Sequence, residues 1–384
     1  MKFRHLVILA AGVAALSGGA YYFTQERMAL QSEGFVGGPF TPGLDVNVNK
    51  ATHVRLESQE GGVLELKRAA DADWTIASHY GYPANQERVG TLLKRIATLK
   101  TVEPKTAKLE NHAQLNLDDP AGENALGTRI TVKAGNATLV DMVAGLSRVA
   151  TETGSVFIRR WSEDATWLAE GEFRPKRRLL DLIDRNVVNV DGRRIRTAHI
   201  THPDGTGGRQ SAAIAKATPD QADYTLAAVA PDGMQPKASH ELSTAARVTE
   251  FLILEKVLPA GDIDLTNPTV SVYETFDGLR ISFTSAKQAD GKIWMTVTAG
   301  AAPRWDGLDI FMSELKGQDS ETGRIADQFK TADAIAGEIA SISSKTNGWA
   351  YLPTDYKADR ITVTAADLFE KPAAATPPPE AAKQ

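Results

Sequence analysis

Apolar and polar residues alternate from the first third of the chain onward. Val54 and Leu56 lie between His53 and Arg55, followed by Leu64 and Leu66 and then by Trp74 and Ile76. A period of two marks strands with one buried face, and Gly61-Gly62 supplies the turn between the first two. The period then changes. Val89, Leu92, Leu93, Ile96 and Leu99 recur at steps of three and four, which predicts a helix capped by Asn85 and finished before Pro104. Alternation returns at Ile130 and Val132, continues through Leu139 to Val143 and ends with Val156 and Ile158. The short connections predict antiparallel pairing.

The second half repeats this order. Thr197 to Thr201 before Pro203-Asp204-Gly205 parallels Thr52 to Leu56 before Gly61-Gly62, and Ala212 to Ala217 and Tyr224 to Val229 stand where the next two strands stood. A long helix is expected from about His240 to Val257, capped by Ser239, with Ala245, Val248 and Leu252 inward. Three strands follow: Val270 and Val272, then Leu279 to Phe283, then Ile293 to Val297, with turns at Asp277-Gly278 and Asp290-Gly291. An insertion spans Ala302 to Ile342, with a helical pattern around Ile325, Phe329, Ala332 and Ile335. It reads as a packing helix, with a lid or partner surface as the alternative. The fold class expected is α+β: an N-terminal transmembrane helix followed by two similar units, each an antiparallel sheet with a packed helix, arising by internal duplication.

The organisation that follows is 1–23 as membrane anchor or signal segment, 24–50 as spacer, 51–185 as first unit, 186–370 as second unit with the insertion, and 371–384 as a Pro/Ala tail without fixed structure. The leader Met1-Lys2-Phe3-Arg4-His5 is basic, and Leu6 to Phe23 is free of formal charge. A helix of that length reaches about 27 Å, close to the hydrocarbon thickness of a bilayer. Lys2 and Arg4 then stay inside, and Tyr21 to Phe23 sit at the far interface. The expected location is a bacterial inner membrane, crossed once by residues 6–23, with the N-terminus cytoplasmic and the body periplasmic. Cleavage near Ala20, which follows Gly18-Gly19, would instead release the body to the periplasm.

Composition narrows the chemistry. The net charge of -5 gives no basic field for nucleic acid, which is not expected as a partner. Residues 186–370 hold 18 Lys and Arg against 25 Asp and Glu, so the acidity lies in the second half. With no cysteine there is no disulfide, thiolate nucleophile or Cys-ligated metal. The histidines at 5, 53, 79, 112, 199, 202 and 240 have no ligand-gathering spacing, and His199 and His202, three apart in a strand, face opposite ways. HExxH, GxSxG, strand-linked GxGxxG and GxxxxGK[ST] are all missing. Asp118-Asp119 and Asp262-Ile263-Asp264 read as solvated turn carboxylates, Arg174 to Arg178 as a connector, and Trp74, Trp161, Trp167 and Trp349 as core or rim residues. No catalytic, cofactor-binding or metal-binding residue is nominated, no cofactor is expected, and an enzyme is not the expectation.

Val63 to Lys67, Trp74-Thr75-Ile76, Tyr82-Pro83-Ala84-Asn85 leading into Leu92-Leu93, and Val140 to Gly145 form a recognisable series. It resembles domain of unknown function family 4340, found in bacterial envelope proteins, over Thr52 to about Ile183. Gly348 to Pro353 echoes the family in the second half. Members often accompany ABC transporter components of the gliding-motility type. The resemblance therefore implies a non-enzymatic, membrane-tethered extracytoplasmic accessory subunit of an ABC-type transport or envelope complex, with transporter subunits as partners. The alternative expectation is a free periplasmic ligand-binding protein with a cleft between the two units.

Overall fold

The alternation at residues 53–67 folds as a hairpin, His53–Ser58 (β2) against Gly62–Lys67 (β3), with Val54, Leu56, Leu64 and Leu66 buried on one face. These positions come from a computed structural model that describes residues 36–372 apart from 70–71, 149–153, 172, 228–229, 231, 316 and 318–320. The segment 6–23, the cleavage site near Ala20 and the tail beyond residue 372 lie outside the described residues. Among the described residues no helix is long and apolar enough to cross a membrane.

The chain is an α+β protein with two large antiparallel sheets of ten and nine strands, and it divides into compact units at Asp184/Arg185. The first sheet is built from β2, β3, Gly38–Pro39 (β1), Thr75–Ile76 (β4), Tyr82–Pro83 (β5), Lys100–Pro104 (β6), Thr128–Ala134 (β7), Ala137–Arg148 (β8), Ser155–Arg160 (β9) and Thr166–Glu170 (β10). Its order is β1-β6-β10-β9-β8-β7-β2-β3-β4-β5. Helix Gln86–Ala97 (α1) precedes β6 and buries Val89, Leu92, Leu93 and Ile96, as the three-and-four spacing predicts. Asn85 caps it, its side chain accepting a hydrogen bond from the Arg88 backbone N–H at 2.9 Å.

The second sheet comprises Asn186–Val188 (β11), Ile195–Pro203 (β12), Arg209–Ala215 (β13), Thr225–Ala227 (β14), Leu252–Pro259 (β16), Thr269–Thr275 (β17), Leu279–Lys287 (β18), Ile293–Ala301 (β19) and Trp349–Pro353 (β20). A separate two-residue pair joins Gln235–Pro236 (β15) to Phe369–Glu370 (β21). The nine strands run β11-β16-β20-β19-β18-β17-β12-β13-β14. Strand for strand, β6-β10-β9-β8-β7-β2-β3-β4 in the first sheet has the same connectivity as β16-β20-β19-β18-β17-β12-β13-β14 in the second. Helix Ser239–Ala246 (α2) precedes β16 as α1 precedes β6, and it packs on β12 and β14.

Several expectations need correction. The helix expected over His240 to Val257 stops at Ala246, and Leu252–Pro259 is a strand paired with β20. Phe251 between them takes a φ of 47°, which ends helical geometry, and Leu252 and Leu254 then bury alternately along β16. Ala245, Val248 and Leu252 fit a helical spacing, but apolar runs of this length are ambiguous, and the second part is taken into the sheet between β11 and β20. Ser239 is the first helical residue instead of the cap, and its hydroxyl donates to the Asp223 carboxylate. Residues 36–50, placed in a spacer, are folded onto the first sheet: β1 pairs with β6, and Phe40 is 1% exposed.

The insertion forms three helices, Leu308–Leu315 (α3), Glu321–Ala326 (α4) and Ala332–Thr346 (α5), ahead of a short Asp355–Ile361 (α6) that follows β20. The expected helical pattern is broken between Phe329 and Thr331, where Thr331 caps α5 by accepting from the Ala334 N–H. Beyond the Arg174 to Arg178 connector the chain makes a 3-10 turn at Leu179–Asp181. Strand β8 runs past the Leu139 to Val143 alternation, through Gly145 to Arg148, and its register with β9 shifts between Ala144 and Ser147.

Candidate functional site

The motif residues of the first unit have structural tasks. Gln86 stitches the Trp74 strand to the start of α1: its side-chain amide donates to the carbonyls of Trp74 at 3.0 Å and Ala84 at 2.8 Å, and its oxygen accepts from the Trp74 N–H at 2.8 Å. Trp74 is buried with the Arg68 guanidinium over its ring, Trp161 has Arg129 and Arg159 against it, and Trp167 stacks edge-on with Phe40. A Cβ at Gly145 would sit 2.2 Å from the Leu115 carbonyl oxygen, so glycine here lets the 112–117 segment cross the strand.

The candidate titratable residues do not converge. His199 is exposed and His202 buried, as their spacing in β12 requires, and the His202 ring bonds to the Val363 carbonyl and Thr269 hydroxyl. His112 is buried with its Nε2 against the Asp164 carbonyl. Burial holds His53 and His79 below the ordinary histidine range. Asp119 and Asp264 accept turn hydrogen bonds from the backbone of Ala121 and Thr266. Among the described residues no group of three or more His, Asp or Glu could hold a metal ion.

A buried ion network went unread in the sequence. Asp277, a turn residue by its Asp-Gly signature, is 2% exposed; it accepts from Arg194 Nε at 2.8 Å and from the Lys330 backbone N–H at 3.0 Å. The rest of the Arg194 fork is bidentate to Glu338, at 3.1 and 2.8 Å, and Lys330 Nζ lies 2.9 Å from the same carboxylate. Burial opposes the Glu338 charge, but hydrogen bonds from Arg194 and Lys330 outweigh it and hold the carboxyl below its ordinary range. Beside the network Phe276, Trp305, Phe311 and Phe329 pack edge to face. Asp277 and Glu338 are 61 residues apart in the chain, so no local signal announces the pair. Together these contacts fasten the insertion to the turn between β17 and β18, the behaviour of a packing element.

The second unit also carries a polar cleft of about 470 Å³, formed where α2 and the following turn meet α6. Asp223, His240, Arg247, Glu250, Lys357 and Arg360 line it, with the Tyr356 phenol beside them. Both carboxylates are engaged: Asp223 by the Ser239 hydroxyl, and Glu250 by the Arg247 guanidinium and the Gly192 N–H. Lys357 Nζ instead donates to two carbonyl oxygens, Val248 at 2.9 Å and Glu250 at 2.6 Å, and burial pulls its pKa below the ordinary lysine range. Arg360 lies over the Tyr356 ring, 5.5 Å from its centroid. The sequence pointed to none of these as a site, because residues 223 to 250 and 356 to 360 meet only through the fold.

The open faces of the two sheets differ. On the first, Arg55 pairs with Glu57 and Glu65, and Arg129 with Asp141. On the second, the register aligns Ala213, His199, Val272, Ser282 and Thr298 in one row and Ser211, Thr201, Val270, Thr284 and Thr296 in the next. These side chains are half-buried or exposed and, except for His199, not ionisable.

The family described as Domain of unknown function (DUF4340) matches residues 74–268, half of the chain, and the chain belongs to it. The match runs from Trp74 across the Asp184/Arg185 boundary to Pro268, just before β17, and thus extends into the second unit beyond the stretch from Thr52 to Ile183 that carries the resembling motifs. No curated protein and no solved structure matches the chain.

Proposed function

We propose that this member of the DUF4340 family is a non-enzymatic, membrane-tethered extracytoplasmic subunit that serves an ABC-type transport or envelope complex. The observation that carries the reading is the basic leader followed by the charge-free segment Leu6 to Phe23 ahead of the two sheet units. In this reading residues 6–23 span the inner membrane once, and the body stands in the periplasm. The two units descend from an internal duplication, supported by the eight-strand connectivity they share and by the helix that precedes β6 and β16 alike.

Faces serve docking here better than edges. The terminal strands β1, β5, β11 and β14 are two or three residues long, too short to template another strand. The nearly uncharged rows on the second sheet cost less to desolvate than the ion pairs on the first, so the second sheet is the preferred partner surface. Recovery in mild detergent tests this reading: transporter subunits should come with the protein from membranes, and recovery without any such subunit would contradict it.

A second reading, a periplasmic ligand-binding protein released by cleavage near Ala20, is favoured by one observation, the polar cleft of the second unit. Its volume falls within the range of small-molecule sites.

A further inference from the structure

We infer that the cleft between α2 and α6 binds a phosphoryl group, carried by a small metabolite or a lipid headgroup, through the Lys357 ammonium and the Arg360 guanidinium. The inference rests on the ligand-binding reading of this cleft and gives that ligand a chemical class.

The argument is one of unbalanced charge. Among the described residues, Arg247 alone of the three cations that line the cleft has a carboxylate, Glu250, within ion-pair distance. Lys357 is held by two backbone carbonyls, which orient the ammonium without neutralising it. An ammonium has three N–H donors, so two carbonyls leave one for a ligand. Arg360, one helical turn from Tyr356, is in contact with that aromatic face and retains a planar fork of donors. Asp223 and Glu250 accept from Ser239, Arg247 and Gly192, and among the described residues neither lies within ion-pair distance of Lys357 or Arg360; the Glu250 charge reaches Lys357 only from farther away. The hydroxyls of Ser243 and Thr244 line the same space; that of Thr244 donates to the His240 carbonyl and can still accept, while that of Ser243 is suited to donate to a phosphoryl oxygen. A phosphoryl group takes charge-assisted bonds from an ammonium and a guanidinium together, and a partly dry cleft strengthens both. The lowered pKa of Lys357 agrees, since a desolvated ammonium gains from an anion placed beside it.

The test is calorimetric titration of the purified full chain with orthophosphate and glycerol 3-phosphate, using succinate and glucose as carboxylate and neutral probes. The phosphoryl probes should bind, and Arg360→Gln and Lys357→Met should each weaken them at least about tenfold, the loss of one charge-assisted contact. Lys357 also clamps the turn after α2, so circular dichroism must show Lys357→Met folded; Arg360→Gln, at a side chain that rests on the exposed Tyr356 ring, carries the test if it is not. Binding of glycerol 3-phosphate alone points to a metabolite, and additional retention on phosphatidylglycerol vesicles but not on phosphatidylcholine vesicles points to a headgroup. Binding of succinate or glucose with no response to phosphoryl probes would overturn the phosphoryl assignment while leaving a ligand site in place. Phosphoryl binding indifferent to both substitutions would remove it from this cleft, and silence with all four probes would overturn the ligand-binding reading as well.

Discussion

Asp277 shows how far a local signal can stand from a residue's task. An Asp-Gly pair between two alternating stretches reads as a hairpin turn, and the turn is there, but Asp277 is buried and receives Arg194. Removing one partner of such a pair leaves an uncompensated buried charge, so Asp277→Ala should cost about 3–5 kcal/mol in urea unfolding. The half-exposed pair Arg280 and Glu274 on the open face of the same sheet should cost less than about 1 kcal/mol when broken. The network also sets an acid limit. Because the Glu338 carboxyl is held below its ordinary range, its contribution is complete above the unfolded carboxylate pKa and disappears as pH falls through the lower folded value. Urea midpoints of the native chain and Glu338→Gln should therefore differ at neutral pH and converge in acid; a difference independent of pH would show that the carboxylate charge contributes nothing. Glycines could be located in the sequence but not explained by it. Gly145→Ala should destabilise, since its Cβ meets the Leu115 carbonyl oxygen at 2.2 Å, whereas Gly90→Ala, with open space beside α1, should stabilise by about 0.5–1 kcal/mol.

Elements were legible where local chemistry and tertiary packing agree. Helix α1 has a cap, an apolar stripe and a stop, and Asn85→Ala should lower thermal stability by about 1 kcal/mol through loss of the bond to the Arg88 N–H. Strands β17 to β19 alternate cleanly, with turns at Asp277-Gly278 and Asp290-Gly291. Legibility failed at strands with weak alternation: β6 and β10 pair with one another, yet Lys100–Pro104 shows no period of two. It failed again at residues 240–257, where one apolar pattern serves a helix and then a strand. The positive φ of Phe251 and the Lys357 ammonium on the carbonyls of Val248 and Glu250 make that division, and neither is visible in a local window. The cleft shares this origin, which is why its residues were not singled out.

At the scale of the whole chain, repetition of element order was readable without residue identity, since the order follows from hydrophobic period and turn signals and not from particular side chains. The open faces differ in character: ion pairs are spread over the first, whereas on the second the Arg280–Glu274 pair lies beside two rows that hold no ion pair. In the proposed account the first meets water and the second meets a partner, while residues 6–23 hold both at the membrane. The most direct measurement is the N-terminus of the native protein, determined after membrane fractionation and protease treatment of intact and permeabilised cells. The account predicts an intact leader in the inner membrane, with the body cleaved only once the periplasm is opened. A soluble product beginning near Tyr21, or a body cleaved only after the cytoplasm is exposed, would contradict it.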